Sequence, residues 1–177
     1  MRAPGLHPPA TLWTIGHSSR TIEEFVDLLW THGVAHVADV RRFAGSRKHP
    51  HFSPEALERS LADAGVRYTP FPELGGRRRP RPDTPHAAWR NEAVRGYADH
   101  MDGPEFASGA ERLAALARGD RVAMMCAEAV WWRCHRSMIA DCFKANGWEV
   151  LHVLGPAEPR VHPYTAVARV VDGELLY

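Results

Sequence analysis

The stretch Val122-Ala123-Met124-Met125-Cys126-Ala127-Glu128-Ala129-Val130-Trp131-Trp132-Arg133-Cys134-His135-Arg136 decides how this chain is read. Val122–Cys126 is an apolar run of strand length that ends in a thiol and a carboxylate. Two tryptophans, two guanidiniums, a second thiol and an imidazole follow. From Cys134 to Asn146 apolar residues recur at helical spacing, Gly147 stands at the stop position, and Trp148–Leu154 is again apolar. Strand, polar loop, helix and strand make a βαβ unit, which carries functional groups from the end of a buried strand to the mouth of a helix.

The same alternation extends toward the N-terminus. Leu12–Gly16 reads as a strand, and Thr21-Ile22-Glu23-Glu24 is a capping box that opens a helix with Ile22, Phe25, Val26 and Leu29 on one face. Val34–Val40 is the next strand. Ser53-Pro54-Glu55 starts a second helix carrying Leu57, Leu61 and Ala64, and Val66–Phe71 is a third strand. The segment 73–88 breaks the rhythm with Gly75-Gly76 and Arg77, Arg78, Arg79 and Arg81, and reads as a long loop suited to a lid. Helices are expected over Trp89–Met101 and Pro104–Arg118. Asp172-Gly173 is the turn of a C-terminal hairpin joining Val167–Val171 to Glu174–Tyr177. The expectation is an α/β fold: a single three-layer domain over residues 1–177, with a mostly parallel sheet of about five strands, helices on both faces and a short polar tail at 1–10.

At 177 residues the chain suffices for one sizeable core. Its net charge of +1 provides no whole-protein field toward nucleic acid or membrane. Lys48 and Lys144 are its only lysines, so nearly all cationic chemistry falls to the planar fork of arginine. The polar N-terminal segment has no secretory pattern and no apolar run reaches membrane-spanning length. Three cysteines then point to a reducing, cytoplasmic setting with free or functional thiols.

Parallel strands place their carboxyl ends on one edge of a sheet, where ligands bind. Those ends here are Gly16-His17-Ser18, Asp39-Val40-Arg41-Arg42, Glu73-Leu74-Gly75-Gly76 and Cys126-Ala127-Glu128. Taken singly, Asp39 and Arg41 read as a local pair, Phe52 as a staple beneath the following helix, and Arg77–Arg81 as a solvated run. Taken together, they predict a shared pocket. Within the opening stretch three chemistries are open. Cys134-His135-Arg136 opens a helix, so Arg133 and Arg136 would cradle an anion and Cys134 would be an activated nucleophile. Cys126, Glu128, Cys134 and His135 could instead hold a divalent metal, although their spacing matches no common zinc pattern. A dithiol pair is the third reading, with seven intervening residues in place of the usual two.

The order strand, Cys126, loop, arginine, Arg136-Ser137, helix resembles the active-site unit of rhodaneses and cysteine phosphatases, and Asp39-Val40-Arg41 resembles a rhodanese aspartate-x-arginine segment. Six residues separate Cys126 from Arg133 where the phosphatase loop has five, and Glu128 and two tryptophans replace its small residues. A fuller resemblance runs through Thr14-Ile15-Gly16-His17-Ser18, Asp39-Val40-Arg41, Pro50-His51-Phe52, Glu73-Leu74-Gly75-Gly76-Arg77, Arg95-Gly96-Tyr97-Ala98 and Cys126-Ala127-Glu128 to Cys134-His135-Arg136-Ser137. By that ordered series the chain is identified as a member of the domain-of-unknown-function 488 family. The resemblance implies a cytoplasmic α/β domain and supplies no activity.

The leading expectation is therefore a hydrolase or transferase acting on a small anionic or nucleotide-like substrate. Cys134, with Cys126 as the alternative, is the nucleophile, Glu128 or Asp39 the general base and His135 a proton shuttle. His17, Ser18, Arg41, Glu73, Cys126, Trp132, Arg133 and Arg136 bind the substrate, with Trp131 and Trp132 as aromatic walls. The rival is a non-catalytic nucleic-acid-binding or repair-associated module that tracks phosphates with Arg41, Arg42, Arg47, Lys48 and Arg77–Arg81. A metal-dependent hydrolase is a weaker third reading. No cofactor and no membrane partner are expected.

Overall fold

Val122–Cys126 (β4) is buried along its whole length at the centre of a six-stranded sheet. The computed structural model describes Leu6, residues 10–45 and residues 48–177; Arg47 and most of the 1–10 tail lie outside the described residues. The sheet also contains Thr11–Gly16 (β1), His36–Asp39 (β2), Arg67–Pro70 (β3), Glu149–Val153 (β5) and Arg160–Val161 (β6), in the order β3-β2-β4-β1-β5-β6. β1 to β5 are parallel, and β6 closes the edge antiparallel to β5. A strand covered on both faces needs apolar residues at every position, so β4 shows no polar alternation in the sequence.

The pleat sorts the residues of β4 between two cores. Ala123 and Met125 join Ile15, Val37 and Val153 under the helices Ile22–Thr31 (α1) and Pro54–Asp63 (α2). Val122, Met124 and Cys126 join Leu12, Ala38 and Val150 under Glu92–Met101 (α3), Pro104–Gly119 (α4) and Arg136–Ala145 (α5). The result is a three-layer α/β sandwich. Both halves of the α1 capping box form: the Glu24 N–H donates to the Thr21 hydroxyl (3.2 Å), and the Thr21 N–H donates to the Glu24 carboxylate (2.8 Å). Pro54 opens α2, while the Ser53 hydroxyl makes no capping bond. The expected helix from Trp89 instead starts at Glu92, because Asn91 Oδ1 accepts the N–H groups of Ala93 and Val94.

Two features depart from the sequence reading. β6 adds a sixth strand of two exposed residues, too short to leave an apolar pattern. The 73–88 loop is a strap rather than a free lid. Arg78 donates to the Gly75 carbonyl (3.0 Å) and pairs with Glu105, and Asp99 accepts from the Arg81 amide (2.7 Å) and the Thr84 hydroxyl (2.8 Å). The strap lies directly on α3: a Cβ at Gly96 would stand 2.3 Å from the Arg78 carbonyl oxygen. The C-terminal hairpin forms as expected, from Arg169–Val171 (β7) and Glu174–Leu176 (β8), as a separate two-stranded sheet.

β1 leads toward β2 on one side of the sheet, whereas its neighbour β4 leads toward β5 on the other. Chains leaving adjacent strand ends in opposite directions open a crevice between them. Among the described residues no helix is long and apolar enough to cross a membrane.

Candidate functional site

At that crevice the β1 and β4 ends are zipped together. The His17 N–H donates to the Cys126 carbonyl (3.0 Å) and the Ser18 N–H to that of Ala127 (2.9 Å). Gly16 permits this approach, because a Cβ there would lie 1.8 Å from the Glu128 carbonyl oxygen. The turn at Trp131–Arg133 then brings the chain back, so that the Cys134 sulfur lies 2.8 Å from the Cys126 sulfur. The two thiols sit on different elements, one at the end of β4 and one just ahead of α5.

Their environments separate them. Burial, then the bond to Cys134, pushes the Cys126 thiol well above its ordinary range. Burial also opposes ionisation of Cys134, but the Cys126 thiol, His135 and Arg136 outweigh it and hold Cys134 well below the ordinary thiol range. The Arg136 N–H points at the Cys134 sulfur (3.5 Å), and so does Nδ1 of His135 (3.4 Å). His135 Nε2 donates to the Val40 carbonyl (2.8 Å), which fixes the ring with Nδ1 toward the sulfur. Sulfur, imidazole and an orienting carbonyl are thus in line.

Arg136 is almost fully buried beneath the thiols, and its guanidinium donates to the carbonyl of Glu128 and the hydroxyl of Thr14. No carboxylate pairs with it among the described residues; burial works against its charge, and the neighbouring Cys126 and Cys134 sulfurs outweigh that and raise it above the ordinary arginine range. From Thr14 a buried chain continues. Thr14 donates to His152 Nδ1 (2.7 Å), His152 Nε2 to His162 Nδ1 (2.9 Å), and His162 Nε2 to Asp141 (2.9 Å). The direction follows from the ends, since a guanidinium only donates and a carboxylate accepts. Burial, with His162 and Arg136 adding to it, lowers His152 to about 2 and keeps it neutral.

On the other side of the crevice Asp39 grips Arg41 with a fork, at 2.8 Å to Nε and 2.6 Å to Nη2, and also accepts from the Tyr68 hydroxyl (2.7 Å). Arg41 Nη1 donates to Nε2 of His17 (3.3 Å), whose Nδ1 donates to the Ser18 carbonyl. Burial and the adjacent Arg41 lower His17 to about 4, so it accepts that bond as a neutral ring stacked on Phe52.

These elements enclose a cleft of about 790 Å³, within the range of small-molecule sites. The match to the family model "Domain of unknown function DUF488" covers residues 21–143. The chain belongs to the DUF488 family. No curated protein and no solved structure matches it. The DUF488 match contains both thiols, His135, Arg136, Asp39 and Arg41, whereas His17, Ser18, His152 and His162 lie outside it.

Of the residues singled out in this DUF488 chain, Cys126, Cys134, Glu128, His135, Arg41, Trp132 and Arg133 line the cleft. Asp39 and His17 stand behind Arg41, and Arg136 lies under the thiols. Ser18 forms the turn at positive φ. Glu73 is not brought to the cleft: its carboxylate pairs with Arg112 on α4, and its carbonyl accepts from His100. The cleft also gathers Arg42, Phe43, Arg77, Trp89, Tyr97, Trp131 and Tyr164. The strand-end position of Arg42, the Glu73-Leu74-Gly75-Gly76-Arg77 and Arg95-Gly96-Tyr97-Ala98 motifs and the Trp131-Trp132 pair signalled four of these in the sequence; Phe43, Trp89 and Tyr164 carried no signal. The His152–His162–Asp141 chain left no local signal, because its members come from three separate elements.

The proposed metal set does not close around a point. Two thiolates on a tetrahedral zinc stand about 3.8 Å apart for Zn–S bonds of about 2.3 Å, further than the two sulfurs here. Among the described residues the three-ligand cluster is His86 on the strap with Asp99 and Asp102 at the end of α3, where Arg81 already lies 3.3 Å from Asp99 and 3.6 Å from Asp102.

Proposed function

We propose that this DUF488 protein is an enzyme, a hydrolase or transferase, that uses Cys134 as nucleophile on a small anionic or nucleotide-like substrate. The observation that carries this reading is the Cys134 sulfur on the cleft floor, with His135 Nδ1 beside it and buried Arg136 beneath. That arrangement favours the thiolate of Cys134 without a free counter-ion. Arg41, held rigid by Asp39, and the exposed Arg133 present guanidinium groups to an anionic substituent. Trp131 and Trp132, at right angles to each other, offer apolar faces for a ring. Glu128, whose carboxylate has no partner among the described residues, is placed to activate water against a covalent intermediate, with His135 shuttling the proton. Asp39, with both oxygens engaged, acts in this scheme by positioning Arg41 rather than as a base.

The test is titration with nucleoside 5′-monophosphates and inorganic phosphate, read by tryptophan fluorescence and by turnover of nucleotide. Arg133→Ala is expected to weaken binding about tenfold, since a charge-assisted contact contributes about 1.5 kcal/mol or more. Cys134→Ser is expected to bind and not turn over. Absence of binding by either probe, together with alkylation unaffected by Cys134→Ser, overturns the reading.

The nucleic-acid reading is favoured by one further observation. A second groove of about 500 Å³, lined by Arg42, Arg77, Arg78, Arg79 and Arg81, shares Arg42 and Arg77 with the cleft. A single strand laid along it would bind with affinity that falls steeply with salt. Salt-independent or absent oligonucleotide binding removes this alternative.

A further inference from the structure

Cys126 has no part in the chemistry proposed above beyond hydrogen bonding to Cys134. It is nonetheless a second thiol held in contact with the first. Its position is set by the β1–β4 register, which pairs Gly16 with Cys126, and by the Glu128 N–H aimed at its sulfur (3.3 Å). Cys134 is set by the turn before α5 and by the Arg136 N–H. The sulfurs are 2.8 Å apart, less than an ångström beyond the ~2.05 Å of a disulfide bond. Only Cys134 needs to be reached from outside, and it lines the cleft with part of its surface open.

We propose that Cys126 and Cys134 form a peroxide-reactive dithiol, in which a hydroperoxide oxidises Cys134 and Cys126 then closes an intramolecular disulfide. The Cys134 thiolate attacks the outer peroxide oxygen, the O–O bond breaks, and the departing alkoxide takes the Cys126 proton to leave as the alcohol. The Cys126 thiolate next attacks the sulfur of the Cys134 sulfenic acid. The S–O bond breaks, and the hydroxide released takes a proton from solvent to become water. Two electrons pass from the sulfur pair to the peroxide, and one alcohol and one water are formed. An external dithiol reverses the step by exchange. The remaining thiol, Cys142, is buried in the core on α5 and pushed up to about 12 by burial, so it takes no part.

Closing the bond removes the Cys134 thiolate from the cleft and takes counter-charge from Arg136. The proposed catalysis would then be switched off until the disulfide is reduced. This consequence rests on Cys134 being the nucleophile; the disulfide itself does not.

The experiment treats the reduced full chain with hydrogen peroxide and follows it by intact mass, thiol titration and peptide mapping. Thiols titrated after unfolding are expected to fall from three to one per chain, with a mass loss of about 2 Da and a Cys126–Cys134 cross-linked peptide pair. Dithiothreitol restores all three. In Cys126→Ser the product stops at sulfenic acid on Cys134, trapped by dimedone at least about tenfold more than in the wild type. The proposal is overturned if the wild type accumulates sulfinic acid on Cys134 while Cys126 remains alkylatable, if the cross-link involves Cys142, or if no thiol reacts at peroxide levels that oxidise free cysteine. Should Cys126→Ser not fold, the wild-type peptide map decides alone. A disulfide that forms in a protein with no nucleotide turnover refutes the catalytic reading and leaves this one standing.

Discussion

Trp131 lies flat on His152, with ring centroids 4.3 Å apart and planes 5° from parallel. The stack ties the cleft wall to the buried hydrogen-bond chain below, so one neutral imidazole supports an aromatic wall, Thr14 and, through Thr14, Arg136. A protonated His152 could not accept from Thr14, and its charge would be buried beside Arg136.

Stability should therefore decline in mild acid. His152 is lowered to about 2 in the fold, against an ordinary value of 6.5, and His17 and His100 to about 4. Between those values and about pH 6.5 the unfolded chain binds more protons than the native one, so stability is complete above about pH 6.5 and lost as the pH falls. His152 alone should contribute a slope of up to about 1.4 kcal/mol per pH unit. Urea midpoints measured from pH 7.5 to pH 4.5 check this, and His152→Asn should flatten the acid limb. A midpoint constant through that range would contradict the neutral buried ring.

Gly16→Ala should destabilise the protein by about 3 kcal/mol, the upper end of the usual cost of overpacking. The added methyl meets the Glu128 carbonyl oxygen, and that backbone cannot move without breaking the bonds from His17 and Ser18. Chemical denaturation measures the loss, and enhanced proteolysis between Ala127 and Arg133 should accompany it.

Asp39→Asn should cost about 3–5 kcal/mol, because it leaves the Arg41 guanidinium buried without its counter-charge. Tyr68→Phe removes a single bond to the same carboxylate and should cost about 1–2 kcal/mol. Equal losses in the two variants would mean that the fork does not hold Arg41.

Cys134 should react with iodoacetamide below the pH at which ordinary thiols react. His135→Ala should move that titration upward and reduce the rate on its acid side several-fold. Because His135 acts on Cys134 through one contact, the plateau rate at high pH should be unchanged. A plateau that falls in parallel would indicate a general structural effect.

Much of the architecture was legible in sequence order. Local signals such as the Thr21–Glu24 box, the glycines after α1, α2 and α5, and the all-apolar β4 depend on near neighbours, and each produced its element. The two-residue β6 was not legible, because two exposed residues are too few to carry a periodicity of their own and only their pairing with β5 makes them a strand. The Trp89 helix start was displaced because a side-chain cap competes locally with helical periodicity.

The site divides along the same line. From the residues alone it follows that the strands carry their polar groups at one edge, since parallel strands must end together. Which groups meet depends on the pleat and on the turns that follow. Asp39 points toward the α1–α2 side, where Tyr68 and Arg41 occupy it; Cys126 points toward α5, where Cys134 comes to rest against it. Glu73, also at a strand end, is drawn by Arg112 on α4 away from the cleft. The chain by itself determined that thiols, guanidiniums and tryptophans would collect at one edge of the sheet. Only the tertiary structure decided that two sulfurs eight positions apart would touch, because a through-space contact between separate elements leaves no periodicity in either one.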